Sequence, residues 1–225
     1  MVMEPKAIVD KIINYIKKRG VVAGGAVRDI VLGRIPKDYD VFIFGLEDFH
    51  HIIKIKGIFD RIPTETENPF ASKYPSMFEV YNTTLSGNPV QIIWNPNYLG
   101  TGSKSWWSRY SDTLTGEEVV GGFDFTINMM YVDSKKQYHI TDEAETALKK
   151  RLIVFNKNHS SALAGPMASV NHLFRRMVYL ADKLGFTIDS KAVDNIYKKY
   201  TPYDKEMEAL VLKEDILDEA INALF

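Results

Sequence analysis

Residues 21–44 read Val-Val-Ala-Gly-Gly-Ala-Val-Arg-Asp-Ile-Val-Leu-Gly-Arg-Ile-Pro-Lys-Asp-Tyr-Asp-Val-Phe-Ile-Phe, and this stretch decides the fold. The apolar run Val21–Ala23 predicts a short buried strand. Gly24-Gly25 breaks it, and Ala26–Leu32 continues as a helix that stops at Gly33. Tyr39–Phe44 predicts a second apolar strand, with Asp38 and Asp40 two residues apart at its start. Strand side chains alternate faces, so both carboxylates leave on one face. Like charges that close repel unless a cation lies between them.

The residue types name a chemistry. Glycine tolerates backbone angles closed to other residues and lets a ligand approach the main chain. Ahead of a helix it offers free N–H groups to a phosphate. Arg28, one turn into that helix, is placed to contact a phosphate, and Asp29 to hold Arg28 or Arg34. The alternative for Arg28 and Asp29 is a surface ion pair of little worth. Oxygen-only ligands from Asp38 and Asp40 suit Mg2+, which takes one or two carboxylates plus substrate phosphates. Two such ions activate an attacking hydroxyl and stabilise a leaving pyrophosphate.

Outward from this stretch, residues 4–18 carry Ile8, Ile12, Ile13 and Ile16 at helical spacing, with Gly20 as a stop. Residues 47–55 predict a short helix, and residues 57–76 an irregular connection punctuated by Pro63, Pro69 and Pro75. Met77–Thr83 and Pro89–Trp94 read as strands joined at Ser86-Gly87-Asn88. Residues 95–116 are loop-like, and Trp106, Trp107 and Tyr110 beside Lys104 and Arg109 are candidates to stack bases and hold phosphates. Phe123–Val132 reads as one strand, with Phe123, Phe125 and Ile127 on one face and Asp124, Thr126 and Asn128 on the other. A boundary near residues 156–162 separates an α/β catalytic unit, 1–158, from a helical one, 159–225. The helical unit has periodic segments at 163–184, 190–199 and 203–224. It carries His172, Arg175 and Arg176 on one helix.

Composition narrows the class. The chain has 225 residues, no cysteine and a net charge of −1, so disulfides and thiolate metal sites are excluded and no global positive field points to nucleic acid. His50-His51 are adjacent on a helix and make a poor metal pair. No signal-peptide layout and no apolar run of membrane-spanning length is present, so a cytoplasmic protein with no membrane partner is expected.

Gly24-Gly25-Ala26-Val27-Arg28-Asp29, Gly33-Arg34 and Lys37-Asp38-Tyr39-Asp40 together resemble the head-domain signature of class II CCA-adding enzymes and bacterial poly(A) polymerases. Asp124-Phe125-Thr126-Ile127-Asn128 is similar to that family's second motif, and Leu180–Asp189 to the start of its helical neck. The resemblance implies an α/β (α+β) fold: a polymerase-beta-type nucleotidyltransferase head with a mixed sheet, then a small helical neck-like domain. It implies transfer of a nucleoside monophosphate from ATP or CTP to an acceptor hydroxyl, first of all an RNA 3′ end of tRNA type. Asp38 and Asp40 would be catalytic and hold two Mg2+ ions. Gly24, Gly25, Arg28, Lys37 and Asn128 would bind the nucleotide.

The chain also departs from the family. Gly122-Phe123 replaces paired arginines, and Gln91-Ile92-Ile93 has no acid where some relatives carry one. Asp124 is therefore the candidate third metal ligand. Ser169-Val170-Asn171-His172-Leu173 replaces the base-selecting Glu-Asp-X-X-Arg, and little chain remains for the parts that grip tRNA. Two alternatives follow: a nucleotidyltransferase acting on a protein or small molecule, or an inactive relative that binds RNA or nucleotide.

Overall fold

The computed structural model describes residues 3–65, 79–94, 115–158 and 166–200. The chain opens with α1 (Pro5–Ile16), whose Ile8, Val9, Ile12, Ile13 and Ile16 are all buried. The left-handed residue that ends it is Lys17, and Gly20 instead begins β1 (Gly20–Ala23). A side chain at Gly20 would lie 2.2 Å from the Phe42 carbonyl oxygen, so glycine is required by the close strand contact. Then come α2 (Gly25–Val31), β2 (Tyr39–Ile43) and α3 (Leu46–Ile53). The stretch expected to be irregular contributes β3 (Thr64–Glu65). β4 (Glu79–Leu85) and β5 (Asn88–Trp94) meet at a two-residue turn, Ser86-Gly87, with φ of 53° and 78°. Both turn residues have positive φ, which suits the twist of a tight hairpin.

Next are α4 (Gly116–Gly121), β6 (Met130–Val132), β7 (Tyr138–Ile140), α5 (Asp142–Lys150) and β8 (Leu152–Ile153). α6 (Pro166–Leu184), β9 (Thr187–Ile188) and α7 (Ser190–Tyr200) complete the described chain. Seven strands form one mixed sheet in the order β3-β4-β5-β2-β1-β6-β7, with β2 and β5 parallel and the other neighbours antiparallel. The single strand expected over Phe123–Val132 is interrupted: Thr126–Asn128 forms a 3-10 turn and only Met130–Val132 joins the sheet. The alternation is real, but residues on both faces of this segment are buried, since it runs between two cores.

The first core lies between the sheet and α1 and α3, with Phe49 packed edge-on against Tyr81 at 5.5 Å between ring centres. The opposite face meets α4 and Phe123, whose ring lies 5.5 Å from Phe42. The second core gathers Phe125, Ile127, Ile153 and Phe155 with Leu173, Met177, Leu180 and Leu184 of α6 and Ala192 and Ile196 of α7. β8 and β9 pair in parallel at its edge. Among the described residues no helix is long and apolar enough to cross a membrane. The expected helix at 203–224 and the cluster Lys104, Trp106, Trp107, Arg109 and Tyr110 lie outside the described residues, as does the side chain of His172.

Candidate active site

β1 and β2 run antiparallel at the centre of the sheet, and α2 joins them. The end of β1 therefore lies beside the start of β2. Register places Asp40 opposite Ala23 on one side and Gln91 on the other. Directly paired residues share a face, so Asp40, Gln91 and Asn82 form a polar row across β2, β5 and β4. Gln91 Nε2 donates to Asn82 Oδ1 at 3.2 Å. Asp38 directly precedes β2, and both aspartates are half-buried. Burial, and next the negative charge of Asp38, push Asp40 up to about 7, while Arg176 partly opposes them. This is a pair that needs a cation to stay ionised.

The glycine turn stands over this pair. Gly24 has φ 79° and ψ −135°, a conformation reserved for glycine. A Cβ there would lie 3.2 Å from the Phe123 ring and 3.9 Å from Asp40 Oδ2. The Gly24 N–H donates to the Met130 carbonyl at 2.9 Å, so that group is not among those offered to a phosphate. Gly25 leaves space into which Arg28 Nη2 reaches, 3.7 Å from where a Cβ would be.

Arg28 and Asp29 are not a surface pair. Their side chains are only 3% and 2% exposed. Arg28 Nε and Nη2 donate to Asp29 Oδ1 at 2.9 and 2.6 Å, and Nη1 donates to Asn128 Oδ1 at 2.6 Å. These bonds use three of the five guanidinium N–H groups. Lys183 Nζ, from α6, donates to Asp29 Oδ2 at 2.9 Å. Asn128 thus meets Arg28, and Lys37 is exposed beside Asp38.

Asp124 is buried on the same side. Its Oδ1 accepts from the Phe125 N–H at 2.9 Å, and its Oδ2 pairs with Arg176 Nε of α6 at 3.0 Å. Among the described residues no three acidic, histidine or cysteine side chains are grouped so as to hold a metal ion.

Asn156 is a site-supporting residue that the sequence reading missed. It is buried, and its Nδ2 donates to the carbonyls of Gly121 and Phe123 at 2.8 and 2.7 Å. Its N–H donates to the Asp124 carbonyl at 2.8 Å. It pins the segment that presents Phe123 and Asp124, and no short motif marks it.

This sheet, with its glycine turn and carboxylates, shares the fold of CCA-adding enzymes. A CCA-adding enzyme in complex with CTP aligns over 97% of this chain and 47% of its own, with a TM-score of 0.56 and 16% identity. The Bacillus stearothermophilus CCA-adding enzyme in complex with CTP aligns over 99% of this chain and 49% of its own, at 0.55 and 17%. A tRNA nucleotidyltransferase complexed with a primer tRNA and an incoming ATP analog gives 0.52 and 17%, over 96% and 59%. The chain spans about half the length of these proteins. No curated protein matches the sequence. The chain itself belongs to the Gabija anti-defense 2 (Gad2) family, whose model matches residues 4–153.

Proposed function

We propose that the chain is a metal-dependent nucleotidyltransferase, moving a nucleoside monophosphate from ATP or CTP to an acceptor hydroxyl with release of pyrophosphate. The observation that carries this reading is the carboxylate pair Asp38 and Asp40 beneath the Gly24-Gly25 turn, with Asp40 pushed up to about 7 by burial and by Asp38. The donor set fits Mg2+: Asp38 and Asp40 would hold the ion through hard carboxylate oxygens, which suit an ion that also binds substrate phosphates. When bound, Mg2+ would favour the ionised acceptor hydroxyl and neutralise charge on the phosphates.

The chain's own residues do the remaining work. Gly24 and Gly25 keep the turn bare, so a triphosphate can approach the backbone. Arg28 sets positive charge beside the turn, and Asn128 fixes the plane of its guanidinium. Exposed Lys37 extends that charge to the mouth of the site. To serve as a third metal ligand, Asp124 would have to exchange Arg176 for the ion. In this reading residues 1–158 form the catalytic unit and 159–225 a neck-like one. It works on the cytoplasmic triphosphate pool.

An RNA 3′ end is the first acceptor to test, because proteins of this fold are described as complexes with primer tRNA and with CTP. The family description favours a second: an anti-defense protein has its target in the defence, so the hydroxyl would belong to a protein or small molecule of the Gabija system. The test is incubation with each α-labelled triphosphate and Mg2+, against an RNA pool and against Gabija components. Label on RNA 3′ ends supports the first acceptor, and label on a Gabija component alone supports the second. Loss of label in Asp40→Asn assigns it to this site. Folded protein that labels neither acceptor class refutes transfer.

A further inference from the structure

We propose that Lys183 is a positioning residue for triphosphate binding: acting through Asp29, it supplies the surplus positive charge that lets Arg28 attract an anion. This rests on the nucleotidyltransferase reading and deepens it. The argument starts from charge. Arg28 and Asp29 are buried and in contact, so alone they cancel. Two of their four side-chain hydrogen bonds reach other groups: Arg28 donates to neutral Asn128, and Lys183 donates to Asp29 Oδ2. Lys183 turns a neutral pair into a trio of net charge +1. It also occupies the second oxygen of Asp29, so that carboxylate stays turned with Oδ1 toward Arg28. Inside a protein such charges are screened far less than at the surface. The surplus charge therefore acts on a phosphate lying at the Gly24-Gly25 turn.

A purely structural role for Lys183, as a pin between α6 and the sheet, makes a different prediction. The end of α6 is held by groups that do not need this side chain. Arg34 Nη1 donates to the Lys183 backbone carbonyl and Nη2 to that of Leu184 at 3.2 Å. Arg151 Nη2 donates to the Gly185 carbonyl at 3.3 Å, with its guanidinium 5.4 Å from the centre of the Phe186 ring. β9 follows at once and pairs with β8. Replacing the side chain of Lys183 leaves every one of these contacts in place, so α6 stays seated while the charge on Asp29 goes uncompensated.

The experiment uses the full chain. Lys183→Met keeps the stem and removes the charge, and Lys183→Arg restores the charge. Ile196→Ala, in the second core and away from the trio, controls for loss of stability. Binding of a non-hydrolysable triphosphate with Mg2+ is measured by calorimetry, KM and kcat by label transfer, and folding by thermal melting. Lys183→Met is expected to weaken triphosphate binding and raise KM by about 10-fold, with kcat nearly unchanged. Lys183→Arg recovers most of that loss, and Ile196→Ala lowers the melting temperature without changing affinity. Unchanged affinity in a folded Lys183→Met overturns the proposal, as does an equal loss in Ile196→Ala. A wild-type chain that is folded but binds no triphosphate overturns the nucleotidyltransferase reading itself, and this inference with it. If Lys183→Met does not fold, affinity in Lys183→Arg decides: an intact value supports the charge argument, and a loss equal to that of Ile196→Ala overturns it.

Discussion

Replacing Asp40 by asparagine should abolish transfer and, in the absence of metal, make the protein more stable. Asp40 is pushed from 3.8 to about 7 by burial first and by Asp38 second. A group whose folded pKa lies above its unfolded value favours the protonated folded state. The penalty for ionising it is absent below the unfolded pKa, grows as pH rises and is complete above about 7. At about 1.4 kcal/mol per unit, that interval corresponds to at most ~4 kcal/mol. Asp40 is partly open to solvent and coupled to Asp38, which cuts the figure to roughly 2 kcal/mol. For a chain of this size that is a rise of about 4–8 °C in melting temperature. The assay is thermal denaturation of wild type and Asp40→Asn above neutral pH, in chelator and then in saturating Mg2+. The variant should melt higher in chelator, and Mg2+ should raise the wild type alone. A variant that melts at or below the wild type in chelator would refute the account of a strained carboxylate pair, and so would a wild type indifferent to Mg2+.

Three further outcomes follow from the same geometry. Apparent Mg2+ affinity should fall about 10-fold per pH unit below 7, where the ion must displace a proton from Asp40, and change little above it; titration calorimetry across that range checks this. Gly24→Ala should cost about 1–3 kcal/mol, because an alanine must adopt φ 79° and press on Phe123, and activity should fall further than stability; melting and label transfer measured together separate the two. Asn156→Ala removes the donor shared by the part-buried Gly121 and buried Phe123 carbonyls and should destabilise by about 1–3 kcal/mol, read by denaturant titration.

The centre of the molecule was legible because it is local. Strand, glycine turn, helix and carboxylate strand occupy one short stretch, and each boundary has its own residue: Gly24, Gly33, Asp38. The partners of that stretch were not legible, because they are remote. Arg28 finds Asn128 and Asp29 finds Lys183, separations of 100 and 154 residues, and nothing in the local pattern says that a helical segment near residue 183 folds back onto the turn. Without those partners a buried pair joined by a half-buried lysine reads as a surface pair. The segment 123–132 misled for a different reason. Its period-two alternation is that of a half-exposed strand, but Phe125 and Ile127 face the second core while Asn128 turns back to Arg28. The backbone serves both by closing a 3-10 turn rather than continuing into the sheet. Asn156 carries no motif at all, and only the carbonyls it satisfies reveal its use.

The second core also sets an order of events in synthesis. Phe125, Ile127, Ile153 and Phe155 emerge from the ribosome with only part of their cover, since Leu173, Met177, Leu180 and Leu184 are made later and β8 has no partner strand until residues 187–188 arrive. Until then the stretch bearing Asp124 and Asn128 lacks its α6 partners, and Asp29 waits for Lys183. The glycine turn, Asp38 and Asp40 are among the first residues made, but their surroundings are completed by some of the last described. A ribosome stalled anywhere between leaves a chain that carries Gly24, Asp38 and Asp40 but not the α6 residues that hold Asp29 and Asp124.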